Sequence, residues 1–122
     1  MSSSFPKDRH IKSGKLIREM LRRGRKVVDG TMRLYAAPGG TKRGLSRCGV
    51  LVSRRHGGAV ERNYIKRLCR EAFRLSSDSI ADQCDYLICP HTNRQFDLES
   101  VRQSLQALAS KAAVDIGKAG EQ

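Results

Sequence analysis

Apolar residues recur along this chain with two periods, and the changes of period mark its elements. Leu16, Ile17, Met20 and Leu21 repeat at helical spacing, between Ser13, suited to cap a helix, and Gly24, suited to end one. Arg25 to Val28 reads as a short strand closed by a turn at Asp29-Gly30. Over 31–37 the period drops to two. Met32, Leu34 and Ala36 fall on one side, Thr31, Arg33 and Tyr35 on the other, which predicts a half-buried strand. Residues 37–44 make a turn-rich basic loop, and 47–53 alternate again with Cys48, Val50 and Val52 on one side. Residues 59–74 contain neither Pro nor Gly and predict a helix. Residues 85–89 are apolar after Asp85 and stop at Pro90, as a strand would. A last helix opens at 95–97, where Asp97 caps it and Phe96 can pack on Val101; its stripe is Leu98, Val101, Leu105, Leu108 and Ala112. The order is α-β-β-β-α-β-α, an α+β domain with helices on a small mixed sheet. It is expected to occupy 9–113, with flexible ends at 1–8 and 114–122.

The helix over 59–74 divides into two faces when its residues are set at about 100° each. Leu68, Ala72, Ile65, Cys69 and Phe73 form an apolar arc. Arg62, Lys66, Arg70, Asn63, Arg74 and Arg67 fill the next, with Glu71 and Tyr64 at its border. Solvated faces mix signs, whereas this arc gathers five cations and no acid. Four of the five are Arg, whose planar fork suits phosphate. The helix is entered through Ser53-Arg54-Arg55-His56-Gly57-Gly58, so two more cations precede it.

Charge extends that reading to the whole chain. The formal charge is +12 over 122 residues, which calls for a polyanionic partner. Residues 1–74 hold 20 Lys and Arg against 5 acids, a net +15, while 75–122 are net −3. The binding surface is therefore expected in the first three-fifths, with the remainder as support. No apolar run reaches membrane-spanning length, and the first residues lack an apolar signal segment, which favours the cytoplasm and no membrane partner. Cys48, Cys69, Cys84 and Cys89 form no C-x-x-C pair and read as free buried thiols rather than zinc ligands. His10, His56 and His91 are scattered, and no paired carboxylates or activated nucleophile stand out. His56 reads as a phosphate or turn residue.

The central stretch also resembles a known family. Val52-Ser53-Arg54-Arg55, Gly57, Ala59-Val60, Arg62-Asn63-Tyr64-Ile65-Lys66-Arg67, Arg70-Glu71 and Phe73 follow the ordered motif of the bacterial ribonuclease P protein component, the small basic subunit that works with a catalytic RNA. The family pattern has Arg where Tyr64 stands. The similarity runs from about Arg9 to Leu108 and is densest over 50–74.

The resemblance implies the protein subunit of an endoribonuclease that removes the 5′ leader from precursor tRNA, binding the catalytic RNA and the leader. It implies that the RNA carries the catalysis with its Mg²⁺, so no catalytic residue, metal ligand or cofactor is assigned to the protein itself. The partners are then the catalytic ribonuclease P RNA and precursor tRNA, not DNA. By the same resemblance, Arg54, Arg55, Arg62, Asn63, Lys66, Arg67 and Arg70 contact the catalytic RNA. Ile17, Leu21, Arg33, Tyr35 and Ser53 are assigned to the leader, although the family commonly has aromatics at the positions of Ile17 and Leu21. It further implies that the central helix joins two parallel neighbouring strands by a left-handed crossover, against the usual right-handed rule. An RNA-binding module of ribosomal-protein type would share the basic arc, and a stand-alone metal nuclease is the weaker rival because ligand clusters are lacking.

Overall fold

The computed structural model describes residues 7–92 and 96–120, with side chains as far as residue 113. Helix α1 (Gly14–Arg23) starts where the Ser13 hydroxyl accepts the Leu16 N–H at 3.2 Å. It ends at Gly24, whose N–H donates to the Met20 carbonyl at 2.8 Å. Space, rather than backbone angle, demands glycine there, since a Cβ would stand 2.5 Å from the Met20 oxygen. The chain continues through β1 (Arg25–Val28), β2 (Met32–Pro38), β3 (Arg47–Val50), α2 (Ala59–Ser76), β4 (Cys84–Pro90) and α3 (Leu98–Gly120). This is the α+β order that the periodicity predicts. The third strand is shorter than the expected 47–53; Leu51 still donates to the Ile88 carbonyl at 2.9 Å before the chain turns away.

The four strands lie in the order β1-β2-β4-β3. Strand β2 runs antiparallel to β1 and β4, and β3 lies parallel to β4. Helix α2 is thus the connection between two parallel neighbours. One sheet face, carrying Met32, Leu34, Ala36, Cys48, Tyr86 and Ile88, packs on Ile65, Cys69, Ala72 and Phe73 of α2 and on the Val101–Leu105–Leu108 stripe of α3. The Phe73 and Tyr86 rings meet there at 6.2 Å between centroids, tilted, as aromatic pairs prefer. The Asp97 carboxylate accepts the Ser100 N–H at 2.8 Å and caps α3, as expected, while the 95 end of that expectation lies outside the described residues. The backbone helix runs on to Gly120, beyond the expected limit at 113.

The other sheet face departs from the sequence expectation. Strand β2 is not half-buried: α1 lies over Tyr35, Leu87 and Cys89, and Met20 and Ile11 complete a second core with Leu16 and Ile17 partly buried against it. The register that sets Tyr35 beside Leu87 brings those side chains to one face.

The chain is anchored where the expected domain begins, at Arg9. Residues 1–6 lie outside the described residues, but Lys7–Arg9 forms a 3-10 turn. The Arg9 guanidinium donates to the Ser46 carbonyl (2.8 Å) and hydroxyl (2.9 Å) and stands 5.4 Å from the Phe73 ring centroid. Ile11 then donates to the Cys48 carbonyl at 2.9 Å, which covers the open edge of β3. The opposite edge, β1, is four residues long and carries exposed Arg25 and Lys26, features that discourage edge pairing.

One ion pair ties this frame together. Arg47 on β3 and Asp85 on β4 are register partners and make two bonds of 2.7 Å each. The same carboxylate accepts the Gly40 N–H at 2.9 Å, which fastens the loop after β2. Gly39 passes so close that a Cβ would lie 2.4 Å from Asp85 Oδ2. The bond to Asp85 raises the Arg47 pKa, so this cation is committed to the fold rather than to a partner.

Candidate nucleic-acid interface

The entry to α2 is built by short-range bonds that the local sequence supplies. Ser53 opens a 3-10 turn over Arg54–His56, its hydroxyl accepting the Arg55 N–H at 3.3 Å. The Ser53 N–H donates to His56 Nδ1 at 3.0 Å. That ring nitrogen must therefore be bare, and Nε2 carries the hydrogen donated to the Pro90 carbonyl at 2.9 Å. His56 thereby ties the turn to the end of β4, the turn role expected of it. Gly57 follows at φ 118°, a conformation open to glycine, and a Cβ would meet Glu61 Cβ at 3.0 Å. Glu61 then reaches back to accept the Gly58 N–H at 2.9 Å, and its charge complements the helix N-terminus.

This entry fixes where the cations point. Ile65, Cys69, Ala72 and Phe73 are buried, so α2 cannot rotate about its axis. Arg54 and Arg55 project from the turn and are exposed, as are Asn63 and Arg67, while Arg62, Lys66 and Arg70 are half-buried. Among the described residues, none of Arg54, Arg55, Arg62, Lys66, Arg67 and Arg70 has a carboxylate within ion-pair distance. Arg74 differs: Glu71 binds it through Nε at 2.9 Å, which raises the Arg74 pKa and holds the Glu71 carboxyl below its ordinary range. Asn63, Lys66, Arg67 and Arg70 line one recess with Val60. The residues assigned to the catalytic RNA are thus brought together on one helix and its entry turn. Their charges are uncompensated and are not needed by the core.

The residues assigned to the leader are arranged differently. Leu21 and Arg33 are exposed, Ile17 is half-buried, and Ser53 is exposed but belongs to the α2 turn. Tyr35, expected with Arg33 on the open side of a half-buried strand, is only 7% exposed because α1 covers it. The signal that anticipates this lies in another strand. Leu87 and Cys89 flank Ile88 in an apolar run, and a strand apolar on both sides has both faces covered.

Sequence reasoning missed one feature outright. Val60, Tyr64 and Phe96 form an apolar cleft beside the cationic recess, although Val60 and Tyr64 belong to neither the apolar nor the basic arc. An apolar–aromatic pair at i, i+4 outside the core arc is the sequence signal for it.

The thiols are chemically quiet. All four cysteines are free and buried, and burial pushes Cys69 up to about 12 and Cys89 up to about 11, with Cys48 and Cys84 also raised. Among the described residues, no group of three or more His, Cys, Asp or Glu could hold a metal ion. No helix there is long and apolar enough to cross a membrane.

Together these features define a class, a small α+β protein that presents a rigid cationic helix face to a polyanion. Comparison with known proteins gives the family. A family model described as ribonuclease P matches residues 5–113. The ribonuclease P protein component of Shouchella clausii is 34% identical over 111 residues, covering 88% of either chain. That of Roseiflexus castenholzii is 36% identical over 102 residues, covering 82% of either chain. The ribonuclease P protein from Thermotoga maritima shares the fold, with a TM-score of 0.74 at 23% identity over 84% of this chain and 96% of that one. The chain belongs to the ribonuclease P protein family, whose members work with an RNA subunit to remove the 5′ leader of precursor tRNA. It is the protein part of an endoribonuclease.

Proposed function

We propose that the turn at Arg54–His56 and the cationic face of α2 hold the catalytic ribonuclease P RNA, and that the α1 side of the sheet meets the leader of precursor tRNA. The observation that carries the first half is the set of uncompensated cations. Six basic side chains gathered on α2 and its entry turn have no carboxylate partner among the described residues. Like charges so gathered repel one another, and a phosphate backbone relieves that cost while Arg supplies bidentate donors. In this reading Mg²⁺ belongs to the RNA, which carries the hydrolysis, and the protein contributes binding and orientation. The assembly works on RNA rather than DNA and acts in the cytoplasm.

The test is reconstitution. Added to a bacterial ribonuclease P RNA at physiological salt and limiting Mg²⁺, the protein should increase cleavage of the leader from precursor tRNA. An RNA-binding module of ribosomal type would leave that rate unchanged. Hydrolysis of RNA by the protein alone in Mg²⁺ would contradict the division of labour.

The leader half rests on Tyr35, Arg33, Leu21 and Ile17. Because Tyr35 sits in the second core, truncating it to Ala would open a cavity costing about 3–5 kcal/mol and confuse binding with folding. Tyr35→Phe keeps the ring and removes the hydroxyl, the group a buried tyrosine can still offer. It is expected to weaken precursor tRNA binding by the assembled complex about two- to tenfold, the worth of one hydrogen bond, and to leave mature tRNA unaffected. Titrating both tRNAs against wild-type and variant complexes decides it. An equal loss for both would place Tyr35 in the fold or the RNA contact instead.

A further inference from the structure

The apolar cleft on α2 lies at the edge of the core, with which it shares Ile65 and Phe96, while Val60 and Tyr64 stand outside that core. Val60 is 78% exposed and Tyr64 51%, one helical turn apart, and both are large hydrophobic side chains on a helix whose other apolar residues are mostly buried. Phe96, from the segment preceding α3, forms the facing wall, and Ile65, His56, Glu61 and Arg67 complete a cleft of about 560 Å³. Two of these residues also line the adjoining cationic recess: Val60 and Arg67 belong to both. The recess and the cleft are therefore contiguous.

We propose that the Val60–Tyr64–Phe96 cleft receives an unstacked base of the catalytic RNA whose backbone lies along Arg67, Lys66 and Arg70. The inference rests on the function proposed above. Three observations favour a base of that RNA. The cleft walls are apolar and aromatic, and a base offers a π-face to Tyr64 while its phosphate stays with the neighbouring cations. Glu61 stands in the wall with its carboxylate held by the Gly58 N–H, which repels a phosphate but can accept from a base N–H. The cleft opens beside α2 and α3, which pack on the sheet face opposite α1, so it is separated from Ile17, Leu21, Arg33 and Tyr35; of the residues assigned to the leader, Ser53 stands near it, in the turn with His56. Where the family pattern that this stretch resembles has Arg, Tyr64 then offers a stacking contact.

The experiment measures affinity for a transcribed bacterial ribonuclease P RNA, and its dependence on KCl, for the wild type, Tyr64→Phe, Tyr64→Leu and the Arg62→Ala/Lys66→Ala pair. Thermal unfolding of each variant checks the fold. Tyr64→Phe keeps the π-face and should bind as wild type. Tyr64→Leu keeps apolar bulk without the π-face and should bind about 5- to 150-fold more weakly, the range of one base–aromatic stack. Its slope of log affinity against log salt should not change, because no cation is removed. Unaltered affinity in Tyr64→Leu would overturn the proposal, while a loss in the Arg62→Ala/Lys66→Ala pair would still uphold the cationic face. A Tyr64→Leu defect confined to precursor tRNA binding by the assembled complex would make the occupant the leader and would equally overturn it. If the pair of cation variants alone binds as wild type, the cationic reading fails independently of Tyr64.

Discussion

Asp85→Ala is expected to remove about 3–5 kcal/mol of folding stability, the usual cost of stripping one partner from a buried ion pair. The Asp85 side chain is 3% exposed, and Arg47 beside it only 27%. Truncation leaves the guanidinium partly buried without its two 2.7 Å bonds and leaves the Gly40 N–H without its acceptor. Domains of this size are stable by about 5–15 kcal/mol in all, so the loss would be roughly a fifth or more of the total. Urea denaturation measures it directly. Asp85→Asn retains a carbonyl acceptor for Gly40 and should recover part of the loss. A change below about 1 kcal/mol in Asp85→Ala would mean that the pair behaves as a solvated surface bridge.

Arg62→Ala combined with Lys66→Ala should do the reverse, sparing the fold while weakening RNA binding by at least about a hundredfold. Hydrogen bonds to charged groups are worth about 1.5–3 kcal/mol each, so every lost contact costs at least about tenfold. Neither side chain forms an ion pair among the described residues, and Arg62 gives up only a weak 3.4 Å bond to the Gly58 carbonyl. Thermal unfolding of the variant should therefore stay close to wild type. A stability loss comparable to the binding loss would show that these side chains serve α2 packing.

The contrast between those two variants separates what the sequence reveals from what it hides. Helix α2 is legible because its information is local: an unbroken segment, a two-glycine entry and charges confined to one arc. The α1 cap and the Asp97 cap are legible for the same reason. The Arg47–Asp85 pair is not, because its members are 38 residues apart and meet only through the parallel pairing of β3 with β4. Arg9 is hidden likewise: the sequence sets it at the edge of the domain, but only the fold places it beside Ser46, 37 residues away. Tyr35 shows a subtler limit. Alternation assigns it correctly to the face opposite Leu34, but alternation cannot say whether that face meets water or a helix. The answer depends on α1 folding back over β2 and β4. Tyr64 is legible as a border residue; its cleft is not, because the facing wall, Phe96, comes from the segment before α3, distant in sequence.

The salt dependence of binding tests the central claim most directly, since it counts phosphate contacts without assuming their geometry. Affinity for a bacterial ribonuclease P RNA should be measured from low to physiological KCl for wild type and the Arg62→Ala/Lys66→Ala variant. Each phosphate contact contributes about 0.7–0.9 to the slope of log affinity against log salt, so the variant's slope should be shallower by about 1.4–1.8. An unchanged slope would show that the cationic face of α2 is merely solvated and that the RNA lies elsewhere on the protein.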